Sequence, residues 1–274
     1  GIERRSMSTA IFASLAFAAA TQSMVVAERW FASFLPEGAV SQLSYAYRVA
    51  TIPVVLLSLT LIAVLYPIVV SRVLGSDRML LARTIATGLN ALCAILVAAS
   101  ACLLAVPDEI VALLFGRGAL DRQSMEATAS AMAGYAFGLA AIGIGLFVSR
   151  CLVALGRGRA VIVASIAGAA SAIVLDALMV APLGVRGLAI AMSAGAWIQA
   201  AVMLAALRRA APSGSAPWSL LGWLPIGVLC SLVLSALSID GPFAVLVAPP
   251  IALAVALLAG LSAGFRLLDL RSVM

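Results

Sequence analysis

Residues 160–181 read AVIVASIAGAASAIVLDALMVA, and residues 186–207 read RGLAIAMSAGAWIQAAVMLAAL, with Pro182-Leu183-Gly184 between the two stretches. Both stretches are almost wholly apolar and match the roughly 20 residues that a helix needs to cross a bilayer. Proline and glycine between them indicate a tight turn. This part of the chain therefore predicts two transmembrane helices joined by a short connection.

The same pattern continues in both directions. Further apolar stretches cover residues 8–33, 40–71, 84–106, 127–152, 218–238 and 242–264. Residues 210–217, rich in Pro, Ser and Gly, are typical of a linker. We predict an all-α fold, a polytopic transmembrane helical bundle of about eight spans. Residues 1–209 form a six-helix unit, 210–217 a linker, and 218–274 two additional carboxy-terminal helices.

Composition supports a membrane protein. Of the 274 residues, 64% are hydrophobic and 10% are charged, and the mean hydropathy is +1.18. So few charges do not cover the surface of a soluble domain, which is nearer half apolar. The net charge of +6 then reflects loops on one side of a membrane rather than nucleic-acid binding.

Several kinds of chemistry are excluded by residue type. The chain has no His, and every one of its basic residues is Arg. Zinc sites of the HExxH type, Ser-His-Asp triads and Walker lysines therefore cannot be built. The four cysteines lack CxxC spacing and fall in or beside apolar runs, so we interpret them as small buried hydrophobic residues: Cys93, Cys102, Cys151 and Cys230. We expect no catalytic residue, metal or cofactor, and a protein that is not an enzyme.

Arginine is distributed unevenly between the two sides of the predicted bundle. One side holds Arg4, Arg5, Arg72, Arg78, Arg83, Arg157, Arg159, Arg208, Arg209, Arg266 and Arg271, whereas the other holds Arg117, Arg122 and Arg186. Positively charged loops remain in the cytoplasm. The pattern predicts a multi-pass protein with both termini cytoplasmic and residues 106–126 outside. Within that outer segment, Asp108 and Glu109 suit a first helical turn, and Ile110, Leu113 and Leu114 share a face, so we predict a short amphipathic helix on the interface.

Charged residues inside spans are costly and usually functional. The candidates are Glu28, Arg29, Arg48, Arg150 and Asp176. Glu28 and Arg29 lie near the outer end of their span, where they either pair or reach water, or else face a cavity. Arg150 is close enough to the inner end to reach water. Asp176 is deeper and either bonds a neighbouring helix or faces the cavity.

Arg48 is the strongest candidate for a functional residue. It lies within the second span, and Pro53 follows five residues later. Proline removes a helix hydrogen bond and usually kinks the helix, and a kink at membrane depth is tolerated where it faces protein or a water-filled cavity. An arginine beside such a kink favours an anionic ligand, because guanidinium binds phosphate through two parallel hydrogen bonds.

Glycines recur in the fourth span at Gly134, Gly138, Gly143 and Gly145. Small residues at this spacing let helices approach closely. We interpret them as packing positions, with a hinge as the alternative.

Three stretches together resemble one family. They are Ala32-Ser33-Phe34-Leu35-Pro36-Glu37-Gly38-Ala39-Val40-Ser41 with Tyr45-Ala46-Tyr47-Arg48 and Pro53, then Ile110–Asp121, and then Pro182-Leu183-Gly184 with Gly187-Leu188-Ala189. Over roughly residues 20–209 they resemble the second lobe of the lipid II flippase (MurJ/MviN) family. The chain departs from that family in having Tyr47 where Asp is frequent, and Gly156-Arg157-Gly158-Arg159 in place of a Gly-Asp-Thr-like turn.

The resemblance implies one lobe of a two-lobed transporter of the multidrug, oligosaccharide-lipid and polysaccharide exporter superfamily, with the amino-terminal lobe missing. It implies flipping of lipid II, a polyprenyl-pyrophosphate-linked peptidoglycan precursor, across the bacterial inner membrane by alternating access. Arg48, Glu28, Arg29 and Asp176 are then the expected substrate-binding residues. The expected partners are a polyprenyl-linked saccharide lipid, the membrane and the missing lobe, without nucleic acid. The alternatives are a flippase for another polyprenyl-linked oligosaccharide and a non-transporting membrane half-protein.

The predicted orientation has a direct test. Cysteine placed at Ser124, in a background without accessible cysteines, should react with a membrane-impermeant thiol reagent in intact cells, because this position lies outside. Cysteine at Ser76 should react only after permeabilisation. The reverse labelling pattern would contradict the orientation.

Overall fold

The computed structural model describes residues 2–75, 78–116 and 121–210, and every regular element in these ranges is helical. The helices are α1 (Ile2–Ala32), α2 (Ala39–Pro53), α3 (Leu59–Leu74), α4 (Arg78–Ala105), α5 (Pro107–Phe115), α6 (Arg122–Ala136), α7 (Leu139–Ala154) and α8 (Gly158–Ala210). A π-helical turn, Val54–Ser58, joins α2 to α3. The predicted linker beyond residue 210 and the predicted spans 218–238 and 242–264 lie outside the described residues.

Four helical stretches are long and apolar enough to cross a membrane: Ser8–Ala32, Ala39–Leu74, Arg78–Ala105 and Gly158–Ala210. Helices α6 and α7, bent by 43°, together make a fifth crossing. The last stretch folds back on itself at Gly184, whose φ of 55° and ψ of −136° are not helical. It therefore supplies two crossings, and the described residues contain the first six predicted spans.

Side-chain contacts establish that α8 is an antiparallel hairpin. Its first limb is residues 158–183 and its second limb is residues 185–210. A Cβ added at Gly168 would meet Gln199, and one added at Gly195 would meet Ala172, so the limbs run side by side in opposite directions. Gln199 also donates a hydrogen bond to Ser165 across the hairpin, with 3.2 Å between Nε2 and Oγ. The tight turn predicted at Pro182-Leu183-Gly184 is confirmed.

The α8 hairpin is the support against which α1, α6 and α7 pack, while α4 is buried against α3 and α7. Small residues form these contacts. Gly134 of α6 approaches Ala189 of α8, and Gly138, just beyond the end of α6, approaches Ser193 of α8. Gly143 of α7 approaches Leu96 of α4. The packing interpretation is confirmed for these three glycines. Gly145, in contrast, has open space beside it.

The fourth predicted span is broken at Gly138, which the continuous prediction over 127–152 did not anticipate. The break leaves backbone carbonyls without their helical partners, and a bilayer offers no water to replace them. The second limb of α8 supplies donors instead. Ser193 Oγ donates to the carbonyl of Gly134 at 2.8 Å, and Trp197 Nε1 donates to the carbonyl of Phe137 at 2.9 Å.

The second predicted span changes from α-helical to π-helical geometry directly after Pro53. Proline cannot donate a backbone hydrogen bond, and the turn after it, Val54–Ser58, is π-helical rather than α-helical. Single π-helical turns are rare and often accompany functional sites. The π-helical turn follows Arg48 in the chain and precedes α3. Arg48 therefore lies in the α2 part of the span, and the π-helical turn separates it from the α3 part.

The amphipathic helix predicted in the segment 106–126 is present as α5. Ile110 and Val111 are buried, whereas Leu113 and Leu114 are about half exposed. The buried face therefore includes Val111, and the two leucines predicted to share a face with Ile110 point away from the bundle.

Candidate functional site

Glu28 is fully enclosed near the carboxyl end of α1. Its side chain is 1% exposed, and its Oε1 accepts a hydrogen bond from the hydroxyl of Tyr135 at 2.6 Å. Tyr135 belongs to α6 and lies less than one turn before the break at Gly138. This hydrogen bond therefore ties α1 to the broken span.

Asp176, on the first limb of α8, is buried beside Glu28. It is 1% exposed, and its Oδ1 has no hydrogen-bond partner. Gly195 approaches both Met24 of α1 and Ala172 of α8. Glu28 and Asp176 each follow one turn later, so the two carboxyl groups lie at the same level of neighbouring helices. Burying one unpaired charge already costs several kcal/mol in an apolar medium, so two adjacent carboxylates require a proton or a cation between them.

The described residues hold no group of three or more His, Cys, Asp or Glu side chains placed to bind a metal ion. The oxygen atoms available at the acidic pair come from Glu28, Asp176 and the phenol of Tyr135. Such a set can hold and release a proton without further ligands. We refer to these three residues as the acidic cluster.

Arg29 points away from the acidic cluster, although it follows Glu28 in the chain. Successive residues of a helix project about 100° apart, and Arg29 reaches across to α2. Its Nη1 donates to Ser44 Oγ at 2.6 Å, and the Ser44 hydroxyl donates to the carbonyl of Val40 at 2.7 Å. Glu28 and Arg29 form no ion pair with each other. Of the alternatives given for these two residues from the sequence, mutual pairing is therefore not found in the structure.

Arg48 is exposed on α2, one helical turn after Ser44 and on the same face. Its side chain has no hydrogen-bond or ionic partner among the described residues. Ala46 and Ala50, which flank it, face the bundle and are buried. Arg29, Ser44 and Arg48 therefore form one strip at the edge between α1 and α2, which we call the arginine strip.

Tyr47 fixes the direction of Arg48. The Tyr47 ring packs edge-on against the Tyr135 ring, with 5.4 Å between centroids and an interplanar angle of 71°. Because the neighbouring side chain must project about 100° away, burying Tyr47 against Tyr135 turns Arg48 outward. Tyr135 thus contacts Glu28 with its hydroxyl and Tyr47, the neighbour of Arg48, with its ring.

The structure divides the predicted site residues into two groups. Arg29 and Arg48 lie on the arginine strip, while Glu28 and Asp176 come together beneath the surface. Tyr135 was not predicted, although a phenol within an apolar span must find a hydrogen-bond partner and that requirement was visible in the sequence. Arg150 lies elsewhere, on α7.

Known structures with the same architecture define the class. The chain is similar to an inward-closed structure of the lipid II flippase MurJ, with a TM-score of 0.75, 21% identity, and coverage of 91% of this chain and 52% of that one. It is also similar to a transporter of the MOP superfamily from Pyrococcus furiosus (TM-score 0.64, 15% identity, 98% and 66% covered) and to a MATE transporter in a bent conformation (0.61, 16%, 98% and 67%). The fold is that of one part of a MOP-type transporter.

The sequence itself identifies the family. Residues 3–261 match the family Lipid II flippase MurJ, and the chain belongs to this family. It spans about half the length of the MurJ structure to which it is similar. No curated protein matches the sequence significantly.

The hydrogen bond of the acidic cluster can be tested without a transport assay. Tyr135→Phe should lower the stability of the purified protein by about 1–3 kcal/mol, because a buried carboxyl loses its donor. Thermal unfolding in detergent measures the loss. Tyr47→Phe is the matched control, since the Tyr47 hydroxyl has no partner in the described residues and its ring contact is retained. Equal effects of the two changes would contradict the assignment.

Proposed function

We propose that this chain is one lobe of a flippase that moves lipid II from the inner to the outer leaflet of the bacterial cytoplasmic membrane. The observation that carries the proposal is Arg48: an exposed arginine within a span, without a partner among the described residues, at the motif that resembles the family's cavity arginine. Membership in the MurJ family supports the cargo. We place both termini in the cytoplasm, as the arginine distribution favours.

The arginine strip suits the pyrophosphate of the cargo. Arg48 offers a free guanidinium that can grip two phosphate oxygens at once. Arg29, held by Ser44 one turn away, adds a second positive charge at a fixed position. A second phosphate oxygen can then replace the serine hydroxyl as its acceptor.

A second lobe is required to complete the cavity. The edge between α1 and α2 is open in the described structure, and exposed apolar side chains follow Arg48 along its span, among them Ile52 of α2 and Val55 and Leu56 of the π-helical turn. We propose that another lobe covers this side and supplies the opposite wall. Alternating access then requires the two lobes to rock, without any bond being made or broken.

Glu28 and Asp176 contribute indirectly in this proposal. Both are buried, and Glu28 is the neighbour in the chain of Arg29 of the arginine strip. A proton or cation taken up by the acidic cluster would make the strip more positive and strengthen its hold on an anionic cargo. Release of the proton or cation would weaken the hold of the arginine strip on the cargo. An ion gradient or membrane potential could drive transport by this route.

Substitution of Arg48 tests the proposal. In a two-lobed protein that contains this lobe, Arg48→Ala should weaken cargo binding roughly ten- to a hundredfold, since a hydrogen bond to a charged group is worth about 1.5–3 kcal/mol. Arg48→Lys should fail as well, because an ammonium cannot reproduce the guanidinium fork. Rescue of cells depleted of their own flippase, at matched membrane levels, is the measurement.

Arg159→Ala is the control for the loss of a positive charge, because Arg159 is exposed and follows Gly158, which packs against Thr9 at the opposite end of α1 from Arg29. It should rescue fully. Full rescue by Arg48→Ala would remove Arg48 from the mechanism. Rescue by lysine but not by alanine would leave only a general requirement for positive charge.

A further inference from the structure

A separate cavity of about 370 Å³ lies between the middle of α1, α3, α7 and the start of α8. Gly158, at the start of α8, packs against Thr9 and Ala13 and marks the end of the bundle predicted to be cytoplasmic. Ser14 in the cavity wall is five residues further along α1, and Glu28 is nineteen residues along. At 1.5 Å per residue, Ser14 and Glu28 are roughly 7 Å and 28 Å from that end, and Gln22, the last residue of α1 in the cavity wall, is roughly 20 Å from it. None of the three residues of the acidic cluster lines the cavity, so the two sites are distinct.

The polar side chains that line this cavity come from three helices. The hydroxyls of Ser14, Thr21 and Ser149 are already used, because each donates to a backbone carbonyl of its own helix. The other polar lining side chains are Gln22 of α1, Tyr66 of α3 and Arg150 of α7. None of these three has a partner among the described residues.

The cavity is also electropositive. Arg150 brings a full charge, and no Asp or Glu is among the residues that line the cavity. Arg150 lies four residues before the end of α7, about 6 Å along the helix axis, so its side chain can reach the membrane surface by snorkelling. Snorkelling accounts for Arg150 alone, however, and does not explain why an amide and a phenol without partners among the described residues line the same cavity.

An acceptor-rich, negatively charged ligand fits this donor set. Guanidinium favours phosphate because it presents two parallel donors, and Tyr66 and Gln22 can bind further oxygens. The rest of the wall is apolar, with Phe17 and Leu146 among its members, which suits the first carbons of a lipid chain. The volume falls at the lower end of the range for small-molecule sites.

We propose that this cavity is a second phosphate site, which binds the phosphate of a lipid headgroup in the leaflet at this end of the bundle. Basic pockets between transmembrane helices on the cytoplasmic side are a known way of holding anionic lipid headgroups. Two sources supply the same chemistry: an ordinary anionic phospholipid, or the polyprenyl pyrophosphate of a cargo lipid. The site does not depend on the function proposed for the arginine strip.

Native mass spectrometry of the purified 274-residue chain tests the site with defined probes. The probes are phosphatidylglycerol, polyprenyl pyrophosphate, and diacylglycerol, which lacks phosphate. The polyprenyl probe is measured in an Arg48→Ala background, so that the arginine strip does not contribute. We expect at least one phosphate-bearing lipid to bind and diacylglycerol to bind poorly. The probe that binds more tightly identifies the source.

Variants then locate the binding. Arg150→Gln should weaken the preferred lipid about ten- to a hundredfold, and Tyr66→Phe, which removes one donor and keeps the ring, should weaken it roughly three- to tenfold. Arg157→Gln is the control, because Arg157 is exposed at the same end of the bundle but does not line the cavity. Thermal unfolding confirms that each variant is folded.

Three results would overturn the proposal. The first is equal binding of diacylglycerol and the phosphate-bearing lipids, which would make the cavity merely apolar. The second is an equal loss for Arg150→Gln and Arg157→Gln, which would indicate general attraction to a basic surface. The third is unchanged binding in both Arg150→Gln and Tyr66→Phe, which would place the lipid elsewhere.

Discussion

A bilayer provides no hydrogen-bond partners, so every interruption of a helix in this bundle has to be satisfied by the protein itself. The interruption at Gly138 shows the consequence most clearly. Ser193 and Trp197 of α8 donate hydrogen bonds to the backbone carbonyls of Gly134 and Phe137, beside the break. These hydrogen bonds fix the end of α6 against the hairpin. Tyr135 is thereby held where its hydroxyl meets Glu28 and its ring meets Tyr47. The outward direction of Arg48 follows from the position of Tyr47, so the arginine strip depends on a helix break that it does not touch.

Opposite charges are separated across the thickness of one helix. Glu28 and Arg29 are neighbours in the chain, yet Glu28 is buried with Asp176 while Arg29 crosses to Ser44 of α2. An arginine on a lipid-facing surface would be costly, so a strip with two of them belongs on a side that meets water, cargo or another protein. The buried acids lie close behind it, where their protonation changes the potential at the strip. In the proposed function, this arrangement would couple a buried ionisable pair to a surface that binds the anionic cargo.

The sequence was sufficient for features that depend on local pattern. Apolar length predicted six spans within the described residues, Pro182-Leu183-Gly184 predicted the hairpin turn, and the acidic first turn of α5 predicted its helix. Features that depend on which faces pack together were not predictable in the same way. The meeting of Glu28 with Asp176, the role of Tyr135 and the cavity beside Arg150 each join helices that are distant in the chain. The break at Gly138 was missed because glycine is equally compatible with close packing and with a bend.

The central claim is that this lobe belongs to a transporter that moves a phosphate-bearing lipid between leaflets. Vesicles are reconstituted with a two-lobed protein containing this lobe, and lipid II is loaded into the inner leaflet alone. An impermeant reagent that modifies the saccharide from outside then reports the fraction of lipid II that has crossed. The account predicts that this fraction rises well above that of protein-free vesicles and that it falls back towards them with Arg48→Ala. Equal fractions in vesicles with and without the protein, under an imposed ion gradient or potential, would contradict it.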